Sequence, residues 1–248
     1  MPPTRQRFEE DLDTLRSRLL EMGAATEEIV RDAILALTHQ DMALAATIIP
    51  RDDAVDRMEV EIESLCLRLM TRQPPLAADL RLIGTALKAV TDIERIGDHA
   101  VDIARVAQRM SREMLYKPLV DIPRMGEMAR HMLHDALEAF VHRDLELVEE
   151  VIAFDDQVDA LYARMQRELQ AIMRQDQASV SQASYLLFVA HYLERICDHC
   201  TNIAERVAFI ETGSRRLPVR GGTVTTARNE APPTPVSPSS KEGPTHLV

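Results

Sequence analysis

The hexapeptide Glu-Arg-Ile-Gly-Asp-His at residues 94–99 returns as Glu-Arg-Ile-Cys-Asp-His at residues 194–199, and Ile-Ala follows at 103–104 and again at 203–204. Shared helix packing would explain a repeat of apolar residues, but not a repeat of Glu, Arg, Asp and His. A duplication of this kind indicates a chain built from two copies of one unit.

A second duplication lies upstream in each copy, at an offset of 103 residues. The matching positions are Asp41, Leu44, Ile48, Asp52, Asp53, Val55 and Asp56 against Asp144, Leu147, Val151, Asp155, Asp156, Val158 and Asp159. In both copies this segment reads as the start of a second helix, and Asp41 is a candidate N-cap. Each unit therefore carries two related acidic segments.

The composition favours an all-α fold. Apolar residues make up 46% of the chain, yet there are only five Phe, four Tyr and no Trp, which is typical of helical bundles rather than sheets. Apolar residues recur at spacings of three and four, and prolines interrupt them at 74–75 and 118–123. We predict helices over about 7–39, 41–73, 76–115, 125–141, 144–174 and 179–211.

Short connections between long helices make successive helices antiparallel neighbours. We therefore predict two tandem antiparallel three-helix bundles, one over residues 5–115 and one over 121–212. Residues 213–248 hold six prolines and few apolar residues, so we predict a disordered tail there.

Net charge, the lack of targeting segments and the cysteine pattern exclude several classes of protein. The net charge of −11, with no dense basic stretch on a helix, argues against nucleic-acid binding. We find neither a signal peptide nor a run long enough to cross a bilayer, and expect a cytoplasmic protein. Cys197 and Cys200 lack a second Cys pair for zinc, so buried helix residues are the favoured interpretation, with metal or redox use the minor alternative.

Acidic residues spaced four apart share one face of a helix. Each half has two such pairs, and Glu94, Glu194 and Asp52 lie where the apolar pattern predicts the core. Burying several carboxylates requires a cation, an arginine partner or proton uptake. Oxygen ligands would select Mg²⁺, Mn²⁺, Ca²⁺ or iron. Arg95, Arg195 or a basic residue of the first helix would serve equally well as partners, so the residues alone leave both explanations open.

Catalytic motifs are missing from the sequence. The Glu-x-x-His signature of di-iron bundles is absent, because Gly97 and Cys197 follow the two glutamates by three residues. There is also no phosphate-binding glycine loop and no nucleophile elbow. We predict that the protein is not an enzyme, with a metal-dependent helical-bundle enzyme or a metal-storage protein as the alternative. His99 and His199 are outer ligands to a metal or ordinary exposed helical residues.

The doubled Glu-Arg-Ile-x-Asp-His motif, with Asp-x-x-x-Asp on the preceding helix in both halves, resembles the PhoU family over about residues 5–212. The resemblance implies a pair of three-helix bundles whose acidic pairs hold metal ions such as Mg, Mn or Fe. Carried onto this chain, the implied metal ligands are Asp52, Asp56, Glu94, Asp98, Asp155, Asp159, Glu194 and Asp198.

The resemblance also implies a role in phosphate signalling. A protein of this family would repress the phosphate-starvation response when phosphate is plentiful, and would modulate phosphate uptake. Its expected partners are the ATPase subunit of the phosphate ABC transporter, a phosphate sensor histidine kinase and a second copy of itself. One departure concerns the acidic motif, where Asn202 stands in the second half at the position of Asp102 in the first.

Overall fold

The computed structural model describes residues 3–72, 76–110, 115 and 119–213. Six long helices fill these ranges, and a short 3-10 turn at Gln177–Ser179 precedes the last one. The helices are α1 (Pro3–His39), α2 (Met42–Arg72), α3 (Ala77–Met110), α4 (Asp121–His142), α5 (Leu145–Gln175) and α6 (Val180–Thr212). The predicted all-α class is confirmed.

The turn between the first and second helix of each half is built in the same way twice. Gln40 and Arg143 adopt left-handed backbone conformations with φ of 53° and 55°, which end α1 and α4. Asp41 and Asp144 then cap the next helix, since Asp41 Oδ1 accepts from Leu44 N at 2.9 Å and Asp144 Oδ1 accepts from Glu146 N at 2.9 Å. The cap predicted at Asp41 is confirmed.

The two halves pack through their first and third helices. Helices α1, α3, α4 and α6 form an inner ring in which α1 contacts α4 and α3 contacts α6. Helix α2 packs only on α1 and α3 among the described helices, and α5 only on α4, α6 and the short turn before α6. The buried apolar side chains of both halves join in one continuous core.

Duplicated glycines let α1 and α4 approach each other closely. Gly23 lies against the side chain of Leu137, and Gly126 lies against the side chain of Ile34; a β-carbon at either glycine would overlap its neighbour. The offset of 103 relates Gly23 to Gly126 and Ile34 to Leu137, so these are two copies of one contact. The repeat therefore includes the surface that joins the halves.

The predicted boundaries at 5–115, 121–212 and 213–248 stay predictions. The tail after Gly213 lies outside the described residues, as do Pro74 and Pro75, the prolines expected to end α2. Over the ranges that the structure covers, no helix combines the length and the apolar character that crossing a bilayer requires.

Candidate functional site

The structure brings the predicted acids together in two groups, one in each half. The first acidic cluster joins Asp52 and Asp56 of α2 to Glu94 and Asp98 of α3. The second acidic cluster joins Asp155 and Asp159 of α5 to Glu194 and Asp198 of α6. Burial and the charges of neighbouring carboxylates on both helices raise the pKa of Asp52 and Glu94 in the first cluster and of Asp155 and Glu194 in the second.

Asp52 is the deepest acid of the first cluster, with 8% of its surface exposed. Its Oδ1 atom is buried and accepts no hydrogen bond from the described residues. Burial raises the pKa of Asp52 to about 7, and the charges of Asp56, Asp98 and Glu94 add to this effect. The carboxylate fits only because Gly97 faces it, since a β-carbon there would lie 2.5 Å from Asp52 Oδ1.

Glu94 borders the same space from α3. Its side chain is 16% exposed, and its buried Oε2 accepts no hydrogen bond from the part of the chain that the structure describes, although Arg95 Nε lies 3.3 Å away. Burial and the charge of Asp98, opposed by Arg95, raise the pKa of Glu94 to about 7. The first cluster thus holds two buried carboxylate oxygens without a hydrogen-bond donor.

The second cluster repeats this arrangement with less burial. Burial raises the pKa of Asp155 to about 6, with Asp159 and Asp198 adding to the shift. Glu194 Oε2 is again buried and accepts no hydrogen bond within the described ranges, with His191 Nδ1 at 3.5 Å, and burial raises the pKa of Glu194 to about 7. Each half therefore holds carboxyl groups that are partly protonated near neutral pH.

The arginine partners considered from the sequence do bind, but at the rim. Arg95 Nη1 lies 2.8 Å from Asp98 Oδ2, and Arg195 Nη1 lies 2.7 Å from Asp198 Oδ2. Both pairs join residues of one helix, and about half of each arginine side chain is exposed, so each pair contributes on the order of 0.5 kcal/mol. Arg95 also forms an ion pair with Glu94 at 3.3 Å, but among the described residues no arginine donates a hydrogen bond to Asp52 Oδ1 or to the two glutamate Oε2 atoms.

The two clusters differ at two positions that the sequence patterns did not identify. Glu59, one helical turn beyond Asp56, belongs to the first cluster, where burial raises its pKa and a hydrogen bond with Thr91 lowers it. The equivalent residues of the second half are Tyr162 and His191, whose rings lie 6.3 Å apart. The regular spacing of Asp52, Asp56 and Glu59 along α2 was the signal that could have identified Glu59.

His99 and His199 lie at the contact between α3 and α6 instead of on exposed faces. His199 Nδ1 lies 3.0 Å from Asp92 Oδ1, and Arg206 Nε donates to Asp92 Oδ2 at 3.0 Å. The His99 ring stacks on Tyr192, and burial together with nearby His199 lowers the pKa of His99 to about 4. These residues connect the halves, and sequence reasoning missed Asp92 and Arg206 because their partners lie more than a hundred residues away.

The cysteines behave as buried helix residues. Cys66, Cys197 and Cys200 are free and buried, and burial raises the pKa of each thiol. Cys197 stands where the first half has Gly97, facing the acidic residues of its own cluster. Protonated, buried thiols are poor metal ligands and poor nucleophiles.

The donor chemistry of both clusters fits a hard cation. All eight predicted ligands are carboxylates, and three of their buried oxygen atoms accept no hydrogen bond from any described residue, so a cation could neutralise them. In the part of the chain that the structure describes, no three His, Cys, Asp or Glu groups already converge as a coordination sphere. Binding an ion would therefore require carboxylate side chains to turn toward a shared centre.

Comparison with known proteins gives one consistent family. The PhoU domain model matches residues 19–107 and 122–207. A "Phosphate-specific transport system accessory protein PhoU homolog" of Clostridium acetobutylicum is 44% identical over 213 residues, which cover 86% of this chain and 97% of that protein. "Phosphate-specific transport system accessory protein PhoU" of Escherichia coli K12 is 34% identical over 206 residues, covering 83% and 86%.

Solved structures agree with this grouping. The crystal structure of PhoU from Pseudomonas aeruginosa superposes with a TM-score of 0.81 at 37% identity, covering 84% of this chain and all of that one. The phosphate transport system regulatory protein PhoU from Streptococcus pneumoniae gives a TM-score of 0.79 at 29% identity, covering 85% of this chain and all of that one. With its two matched domains and its two equivalent acidic clusters, the chain belongs to the PhoU family.

Proposed function

We propose that this protein is a regulatory accessory protein of a phosphate-specific transport system. The observation that carries the proposal is the 44% identity to the Clostridium acetobutylicum accessory protein across 97% of that protein's length. Similarity over the whole length means that both bundles and the surface between them are shared, so the proposal does not rest on one matched domain.

In finer terms, we propose a cytoplasmic negative regulator of the phosphate-starvation response. The protein would contact the ATPase subunit of the phosphate transporter and a phosphate sensor histidine kinase, and would act through binding, without turnover of a substrate. A homodimer is the expected assembly, which light scattering on the purified protein would test.

A deletion strain tests the regulatory role. Removing the gene from its host is expected to leave phosphate-scavenging genes expressed in phosphate-rich medium, because repression is lost. Restoring the gene at its own locus should restore repression. Normal repression in the deletion strain would contradict the proposal.

We further propose that both acidic clusters hold Mg²⁺, Mn²⁺ or iron ions. A bound cation would neutralise the buried carboxylates and tie α2 to α3 and α5 to α6, which supplies structural cross-links. The residues that would hold the ions are Asp52, Asp56, Glu94, Asp98, Asp155, Asp159, Glu194 and Asp198. Support comes from the unsatisfied oxygen atoms of Asp52, Glu94 and Glu194.

Calorimetric titration of the purified, chelator-treated protein with Mn²⁺ tests this proposal. Wild type is expected to bind and to melt at a higher temperature with the ion, and the Asp52→Asn, Glu94→Gln double variant should lose the binding of the first cluster. Glu61→Gln, an exposed acid on α2, is the matched control. Equal binding by the double variant and the control would contradict the assignment.

A further inference from the structure

A cavity of about 310 Å³ lies between α4 and α5. Its lining combines acidic, imidazole, amide and apolar groups, from His131, Met132, Asp135, Glu150, Phe154 and Gln157. The eight carboxylates of the acidic clusters do not line it. The cavity is therefore separate from the two acidic clusters.

The internal repeat shows what fills the same place in the first half. The offset of 103 that relates the acids of α2 to those of α5, and Gly23 to Gly126, pairs Asp32 with Asp135 and Arg51 with Phe154. In the first half Arg51 reaches from α2 to α1, where Nη1 donates to Asp32 Oδ2 and Nη2 lies 3.2 Å from Glu28 Oε2. The position is occupied by a guanidinium group.

That guanidinium satisfies a buried acid. Asp32 is 8% exposed, and burial by itself would raise its pKa, but hydrogen bonds from Arg31 and Arg51 outweigh burial and lower it. The carboxylate at this position is thus tolerated in the core because two arginines reach it.

The second half keeps the acid and lacks both arginines. Asp135 retains the carboxylate, with a side chain 18% exposed, while His134 and Phe154 stand at the positions of Arg31 and Arg51. Asp135 Oδ2 faces His131 Nε2 at 3.3 Å, and the ring of His131 lies edge-on to Phe154. No lysine or arginine of the described residues forms an ion pair with Asp135. The cavity is lined by Asp135 and Phe154, the residues at the positions of Asp32 and Arg51.

We propose that this cavity is a docking site for an arginine side chain presented by a partner protein. Asp135 would accept the planar guanidinium as Asp32 does in the first half, Glu150 supplies a second negative charge at the wall, and Phe154 offers an aromatic face. The net charge of −11 favours a basic partner segment. An arginine within a protein fits better than free arginine, whose own carboxylate would face Asp135 and Glu150.

The test uses ¹³C-methyl-methionine NMR on the full chain, with Met132 as the reporter and N-acetyl-arginine amide as the probe. We expect a saturable shift of the Met132 methyl resonance, no such shift with the neutral isostere N-acetyl-citrulline amide, and a weaker one with N-acetyl-lysine amide. Asp135→Asn should weaken arginine-amide binding about tenfold. Glu61→Gln, on another helix, should bind like wild type.

A second variant keeps the proposal testable if Asp135→Asn folds poorly. Phe154→Arg supplies the missing arginine within the chain, so it should pair with Asp135, raise the melting temperature and abolish the response of Met132 to the probe. Equal shifts with the arginine and citrulline amides would overturn the proposal. An unchanged response in Phe154→Arg, or a lysine-amide response as strong as the arginine one, would overturn the assignment of a guanidinium site.

Discussion

Gly97 is the residue on which the depth of the first acidic cluster depends, because its missing side chain makes room for Asp52 Oδ1. Gly97→Ala is expected to displace that carboxylate while adding up to about 1 kcal/mol of helix propensity. The metal-free protein should therefore be about as stable as wild type, and the rise in melting temperature caused by Mn²⁺ should shrink.

The matched control for this substitution lies on the same helix. Gly84 has open space around the position of a β-carbon, so Gly84→Ala gains helix propensity without touching the cluster. Melting curves with and without Mn²⁺ should separate the two variants. An undiminished Mn²⁺ response in Gly97→Ala would show that the approach of Asp52 to α3 is irrelevant to ion binding.

Protons and metal ions should compete at these carboxylates. Asp52, Glu94 and Glu194 have pKa values of about 7 and Asp155 of about 6, above the ordinary values, because burial disfavours the charged form. A carboxyl group with a raised pKa in the folded state binds its proton more tightly than the unfolded chain does. Its contribution to stability is therefore full below the unfolded pKa and is lost as pH rises through the folded pKa.

We accordingly expect the free energy of unfolding of the metal-free protein to fall between about pH 4 and 7, from the ordinary carboxyl pKa to the raised one. Mn²⁺ affinity should rise over the same range, with release of protons on binding. Urea titrations and calorimetry in buffers of different ionisation enthalpy measure both effects. A metal affinity that does not change with pH would contradict the raised pKa values.

The duplicated acids could be predicted from the sequence because identical polar residues recur at fixed offsets. The sequence does not show which acids are most buried, because Asp52 and Asp155 lie in the same pattern while only Asp52 is faced by a glycine. Asp92 and Asp32 were also missed. Each pairs with an arginine of another helix, at separations of 114 and 19 residues, and such distant pairs leave no local spacing in the sequence.

At the scale of helices, the ion pair between Asp92 of α3 and Arg206 of α6 is expected to hold the halves together. The Asp92 side chain is 9% exposed, and Arg206 reaches Oδ2 with both Nε and Nη2 at 3.0 Å. Arg206→Met leaves a buried carboxylate oxygen without its charged partner. It should lower the free energy of unfolding by about 3 kcal/mol.

Arg18→Met is the control for this prediction, because Arg18 pairs with Glu21 on the surface of α1, where both side chains are about half exposed. Its effect should stay within about 0.5 kcal/mol. Urea unfolding followed by circular dichroism measures both variants. Similar small losses in the two would mean that the contact between α3 and α6 depends on apolar packing alone.

The sequence predicted where the helices lie more closely than it predicted which of their residues are buried. The aspartates after the two turns located the starts of α2 and α5 to within one residue. Helix α4 begins at Asp121, earlier than the predicted 125, because Pro123 lies in its first turn, where a proline is tolerated. Leu80 of α3 is apolar but 48% exposed, whereas its neighbour Asp79 is buried and pairs with Arg5 of α1 at 2.8 Å. A charged residue that pairs with another helix can therefore be buried while its apolar neighbour is exposed, which is the opposite of what hydrophobicity predicts for that turn of the helix.

For the whole molecule, the sequence indicated two similar bundles but not how they join. The joining surface consists of Gly23 and Gly126 with their Leu137 and Ile34 neighbours, the Glu27–Arg130 ion pair at 2.8 Å, and the stacked residues around His99. Neither the positions of two glycines nor single charged residues reveal in the sequence which helices contact each other. The result is one core that runs through both halves.

A shared core predicts that the two bundles unfold together. The inner faces of α4 and α6 are covered by α1 and α3, so unfolding one half would expose apolar surface of the other, at roughly 25 cal/mol for each Å². Calorimetry should therefore show a single transition with equal calorimetric and van't Hoff enthalpies, and hydrogen exchange should give the slowest amides of α3 and α6 the same opening free energy. Gly126→Leu, which overfills the contact between α1 and α4, should lower this transition without splitting it. Two resolved transitions in the wild-type protein would mean that each bundle is stable without the other and that the contact between them is a docking of independent units.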